Sequence, residues 1–229
     1  MDFYLESFSQ TFHLLRTLDP EVQEIALRSL RLSSTATLLA SLVGIPAGLT
    51  IALTDFPGKR GTITLLSALM GVPTVGVGLF LYGLFSRRGI LGSWGLLFTP
   101  TAIVVAEWIL STPIVTRLTI AAVRGVDPRV YTTALTLGAS GLRAYAKVLT
   151  EARGTVFAGV VNGFGRAISE VGAAMIVGGN IRGSTRIMTT AIALETSKGD
   201  FALALALGLI LLGIFLVLNL LFLRLQEAR

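Results

Sequence analysis

Cysteine is absent and histidine occurs once, which excludes a disulfide framework and any metal site built on thiolates or clustered imidazoles. Charge is also scarce. Only 14% of the 229 residues are Asp, Glu, Lys or Arg, against about 25% in an ordinary soluble domain. With 53% hydrophobic residues, that scarcity excludes a soluble globular protein and a disordered tail alike. A basic region ahead of a short apolar core is missing, because the chain opens on Asp2 and Glu6, so no cleavable signal peptide is expected. No basic block of the nucleic-acid type occurs, and no GxSxG elbow or other catalytic constellation. Gly178, Gly183 and Ser184 imitate a P-loop but lack its lysine, so no nucleotide site is expected.

Long apolar runs are what the sequence has instead. Residues 32–53, 61–86 and 201–223 carry no ionisable charge, 93–116 carry Glu107 alone, and 155–178 carry Arg166 and Glu170. As a helix, 32–53 rises about 33 Å, enough for a hydrocarbon core of about 30 Å. The expected fold is an all-α integral membrane protein in which residues 1–229 form a single transmembrane domain of five spans, with its ends on opposite sides. Pro46, Pro73, Pro100 and Pro113 fall among the spans, either bending helices that line a path or kinking an ordinary packed bundle. Gly44 with Gly48, and Gly159 with Gly163, make notches of small residues through which helices approach closely. Ahead of the first span, Leu5, Phe8, Phe12 and Leu15 share a helical face apart from Glu6, Gln10, His13 and Arg16, the pattern of an interfacial helix. His13 has no partner at metal-ligand spacing and reads as a headgroup-level surface residue.

The longest polar stretch lies between spans three and four. It carries Arg117, Arg124, Arg129, Arg143, Lys147 and Arg153 against Asp127 and Glu151, which places it in the cytoplasm. The N-terminus then lies outside and the C-terminus inside, although the surplus of Lys and Arg on the inner side is narrow. Within 124–153, Asp127 suits an N-cap, Pro128 a first helical turn, and Gly138 a left-handed cap, with a second short helix from Ser140. Two short helices meeting at a glycine form a compact knob. It either plugs into a partner's groove or merely connects the spans.

Charges within spans are costly, about 2.5–3.5 kcal/mol for Arg or Asp at a helix centre, and so face partners or water. Arg166 and Glu170 are four residues apart and can pair on one face, with Glu107 as a third member. This is either a gate beside a path or a purely structural pair.

Residues 164–190 read FGRAISEVGAAMIVGGNIRGSTRIMTT. They resemble the segment after the coupling loop in permease subunits of oxyanion ABC importers, which handle molybdate, tungstate and sulfate. Thr132, Thr133, Ala134 and Gly138 occupy the positions of that family's Glu-Ala-Ala-x-x-x-Gly motif, and TLGAS at 136–140 looks like its core. The chain departs from the motif in lacking its Glu and in having Thr150 and Glu151 where Leu-Pro is common. VPTVGVG at 72–78 extends the resemblance, and ISEVGAAMIVGGNIRG with TTAIALETSKGD looks most like the tungstate (TupB-like) branch.

The resemblance implies a type I ABC importer permease in a prokaryotic cell membrane, non-catalytic by itself and binding no cofactor. Its implied partners are a second copy of the chain, two ATPase subunits that use ATP and Mg, and an external binding protein. Thr132, Thr133, Ala134, Leu137, Gly138, Ala139 and Ser140 would couple to the ATPase. Glu107, Asn162, Arg166 and Glu170 would flank the path, and Arg182 and Arg186 would attract the anion on the outer side. The cargo implied is tungstate, with molybdate beside it. The alternatives are a sulfate-type permease and a non-ABC anion channel or secondary transporter, although no internal repeat of the secondary-transporter kind is visible.

Overall fold

A chain of five apolar runs must satisfy its backbone internally, and every regular element among the described residues is a helix. The computed structural model describes the backbone of residues 2–17 and 19–227 and the side chains of 8–17, 19–220 and 224. In order, the helices are α1 (Asp2–Thr17), α2 (Pro20–Leu53), α3 (Lys59–Met70), α4 (Thr74–Phe85), α5 (Pro100–Arg124), α6 (Arg129–Thr136), α7 (Gly141–Ile168), α8 (Gly172–Gly178), α9 (Met188–Lys198) and α10 (Phe201–Glu227). A single 3₁₀ turn, Gly92–Trp94, precedes α5.

Three of these, α2, α5 and α10, are long and apolar enough to cross a membrane alone. The other two spans are broken. Residues 61–86, expected as one helix, form α3 and α4, bent by 96° where Gly71, Val72 and Pro73 interrupt the ladder. Residues 155–178 form the latter part of α7 and then α8, bent by 55°.

The first span also starts earlier than hydropathy suggests, at Pro20 rather than residue 32. Asp19 Oδ1 accepts from the amides of Glu21 at 2.8 Å and Val22 at 3.3 Å, and Pro20 supplies the first helical residue. At 34 residues, α2 rises about 51 Å, so roughly a third of it projects beyond the hydrocarbon. The third span starts later than expected. Thr99 Oγ1 accepts from Ala102 N, and Pro100 opens α5, which continues to Arg124. Of the four prolines, only Pro73 lies at a break; α2 and α5 run uninterrupted through Pro46 and Pro113.

The sequence reading assigns a second short helix from Ser140. The structure corrects it: α7 is 28 residues long and runs from the knob to the break. No proline between Gly141 and Ile168 removes a ladder hydrogen bond, so nothing ends the helix sooner. The segment after α8 contains α9, whose Met188, Thr189, Thr190, Ala191 and Glu195 are buried.

α5 is the spine. A Cβ on Gly48 of α2 would lie 2.7 Å from Thr119 Cβ, and one on Gly44 would lie 3.0 Å from Thr116 Oγ1. On its other side, a Cβ on Gly163 of α7 would meet Val115 Cγ2 at 2.7 Å, and one on Gly159 would meet Leu118 Cβ at 3.0 Å. Both notches read from the sequence therefore seat on α5, with α2 running parallel to it and α7 antiparallel. α1 packs on the start of α10, where Thr11 Oγ1 donates to the Ala202 carbonyl at 3.0 Å. Phe12 of α1 is exposed, and Phe8, half-exposed, borders a groove against α9 and α10; the side chains of Leu5 and Glu6 lie outside the described residues.

Gly48→Val should therefore destabilise the detergent-solubilised protein by about 1–3 kcal/mol through overpacking. Gly61→Val, at a helical position with no atom within 4 Å, should leave the thermal midpoint nearly unchanged. Comparing the two midpoints checks the spine.

Candidate functional site

Two regions gather the residues singled out by sequence: the knob at one end of the bundle and a cleft near its middle. In the knob, Asp127 Oδ1 accepts from Arg129 N at 2.9 Å and opens α6. Gly138 adopts φ +85°, a conformation costly for any residue with a Cβ, and lets Ala139 N return to the Ala134 carbonyl at 3.0 Å. The rings of Tyr131 and Tyr145 stack at 5.3 Å and hold α6 on the first turns of α7. Thr133, Ala134, Leu137 and Ala139 line a concavity of about 550 Å³ rimmed by Arg129, Arg143 and Lys147. Leu137 is 82% exposed and Leu142 80%. Gly138, Ser140 and Thr132 complete the knob at its surface.

The cleft is framed by Met70 at the end of α3, Ile114 and Leu118 near the middle of α5, residues of α7, and Phe215, Leu218 and Asn219 of α10. Its volume is about 490 Å³. Asn162, Arg166 and Ser169 open into it together with Asn219. The structure thus brings Asn162 and Arg166 to one surface, while Glu107 and Glu170 lie buried and do not line the cleft.

Glu170 occupies the break between α7 and α8, only 1% of its side chain exposed. One carboxylate oxygen accepts from Arg166 Nη1 at 2.8 Å, and the other accepts from Ala173 N at 2.8 Å, capping α8. Thr189 Oγ1 of α9 donates to its carbonyl at 2.6 Å. Backbone and side chain at the break are thus both held by specific partners. Glu107 of α5, expected as a third member of the pair, is wholly buried beside Ser33 of α2.

Asn219 is the residue that sequence reading missed. It is the sole carboxamide in the apolar run of α10, too weak a signal to interrupt a span, and only its position opposite Asn162 distinguishes it.

Arg182 and Arg186 lie at the end of the bundle remote from the knob. Arg182 pairs with Glu21, and Arg186 Nη1 lies 3.4 Å from Glu21 and 3.5 Å from Glu195. Arg28 Nη1 donates to the Arg186 carbonyl at 3.1 Å. Arg182 remains 72% exposed, whereas Arg186 is 12% exposed. The P-loop imitation nearby is closed on itself: Thr185 Oγ1 donates to the Gly178 carbonyl at 2.5 Å and accepts from Ile181 N at 2.9 Å.

Residues 44–228 match the family described as "Binding-protein-dependent transport system inner membrane component". The chain is 42% identical over 227 residues, 99% of its length and 100% of the relative's, to the tungstate uptake system permease protein TupB of Peptoclostridium acidaminophilum. It is 37% identical over 219 residues, 96% of its length and 92% of the relative's, to the TupB protein of Campylobacter jejuni. A crystal structure of an amino acid ABC transporter with histidines superposes with a TM-score of 0.67 at 19% identity, covering 95% of this chain and 98% of that one.

Arg166→Ala, which strands the buried Glu170 carboxylate, is expected to cost about 3–5 kcal/mol, the scale of breaking a buried pair, and Arg166→Ala combined with Glu170→Gln, which keeps an acceptor for Ala173 N without the charge, clearly less. Unfolding of the two variants in detergent checks this order.

Proposed function

The chain belongs to the binding-protein-dependent transport system inner membrane component family, and from that premise we propose that it is the permease subunit of an ATP-driven tungstate importer. It is a multi-pass membrane protein of the type I permease fold. The single observation that carries the cargo is the identity of 42% across the full length of a tungstate permease. Molybdate, a dianion of the same shape, is the second substrate.

In this reading two copies of the chain enclose the path, and two separate ATPase subunits seat on the knobs, supplying ATP and magnesium chemistry that this chain lacks. An external binding protein delivers the anion to the end that carries Arg182, which pairs with Glu21 yet stays 72% exposed. The N-terminal end then lies outside and the C-terminal end inside.

Coupling runs along α7. The knob is joined to its first residue, and Arg166 sits in its last turn, about 38 Å away along a continuous helix. Movement of the knob on ATPase closure therefore shifts the cleft and the α7–α8 break together. At the break, pairing with Glu170 damps the field of Arg166. A lone guanidinium in low dielectric would hold a dianion too strongly to let it leave, so tight binding is left to the external protein.

Leu137→Asp places a charge on the exposed apex of the knob. It should abolish co-purification with the ATPase and uptake, while leaving the thermal midpoint within about 0.5 kcal/mol of the parent, as for other surface changes. Deleting the gene should remove cellular tungsten at nanomolar supply, measured by mass spectrometry with molybdenum alongside. Unchanged contents of both elements would reject the proposed cargo.

A further inference from the structure

The cleft between α7 and α10 has a lining that the pairing of Arg166 with Glu170 does not explain. Four hydrogen-bonding side chains open into it: Asn162, Arg166, Ser169 and Asn219. No carboxylate does, because Glu170 is buried behind Arg166 with both oxygens engaged. Each asparagine uses one amide N–H locally, Asn162 Nδ2 on the Ala158 carbonyl and Asn219 Nδ2 on the Phe215 carbonyl, both at 2.9 Å. The second N–H of each has no partner among the described residues. The same holds for the N–H groups of Arg166 beyond the one given to Glu170. Ser169 differs, since its hydroxyl donates to the Gly165 carbonyl at 2.6 Å.

Three donor groups from two helices therefore share one concavity within the membrane-spanning segments. Facing hydrocarbon they would be left unsatisfied, so the cleft must hold water or a solute. The donors are neutral carboxamides and one guanidinium already neutralised by Glu170. Such a set prefers an anion to a cation but binds it weakly. The size agrees. At about 490 Å³ the cleft has room for an oxyanion together with water around it.

The geometry points to this cleft as a weak, hydrated station for the transported oxyanion, with Asn219 of α10 as a donor facing Asn162 and Arg166 of α7. The inference rests on the importer reading above and adds the place and the residues of transient contact. Because the donors come from two helices, a change in the separation of α7 and α10 changes how many of them reach the anion at once. The knob-driven movement of α7 would then release the anion without a separate gate residue.

The test is tungstate uptake into proteoliposomes by the full complex of this chain, its ATPase and its binding protein. Asn219→Asp replaces a donor with a negative charge at almost unchanged volume and should cut uptake by about tenfold or more, while Asn219→Gln, which keeps the carboxamide, should stay within about threefold, the range of one altered hydrogen bond. Co-purification with the ATPase checks assembly of each variant. Should the acid fail to assemble, Asn219→Leu, which suits a membrane helix, should still lose about threefold or more. Parental uptake in whichever of Asn219→Asp and Asn219→Leu assembles overturns the station and leaves the importer reading intact. A parent complex that moves neither tungstate, molybdate nor sulfate overturns the importer reading, and the station with it.

Discussion

Hydrocarbon offers no partner to a broken helix, and the architecture follows from how this chain meets that constraint. Two spans are interrupted, and the interruptions adjoin: a Cβ on Gly172, the first residue of α8, would lie 2.9 Å from Thr74 Oγ1 at the first residue of α4. At the α7–α8 break, Glu170 caps α8 through Ala173 N, and Thr189 takes up its carbonyl. A carboxylate placed there needs a counter-ion, and Arg166 supplies it from one turn earlier. The ion pair is thus first a solution to the break. Its second consequence is geometric, because the guanidinium edge not facing Glu170 is turned to the cleft.

α5 makes the rest possible. Glycine notches on α2 and α7 bring both helices against it at backbone distance, and Ser111 Oγ donates to the Gly163 carbonyl at 3.0 Å, fixing the register of α7. A helix held this way moves as a body. Since α7 begins at the knob and ends at the break, displacement at the exposed Leu137 end is carried to Arg166 without an intervening hinge.

Much of this was legible in sequence, and the illegible parts have physical reasons. The spans and the knob follow from hydropathy, from Asp127 and from Gly138, because a bilayer punishes charge and only glycine takes φ +85° cheaply. The Arg166–Glu170 pair follows from helical spacing. The break beside it does not, since residues 169–171 contain no proline and the interruption is held by the Glu170 side chain reaching Ala173. The projecting third of α2 was hidden by its mixture of Glu21, Glu24, Arg28 and Arg31 with apolar residues. Arg182 and Arg186 looked like surplus cations because their partner Glu21 is far away in sequence. Asn219 was hidden by the apolar run around it.

The central claim is that the face of α7 and α10 lining the cleft borders water within the membrane-spanning segments, while exposed apolar faces of α2 and α10 border lipid. The absence of cysteine makes this directly measurable. Single cysteines at Asn162, Ser169 and Asn219, and at the exposed apolar positions Leu38, Leu42, Val217 and Leu220, would be treated in native membranes with a charged, water-soluble thiosulfonate. The account predicts modification at the first three and protection at the last four. Equal protection at all seven would place the cleft in lipid and contradict it.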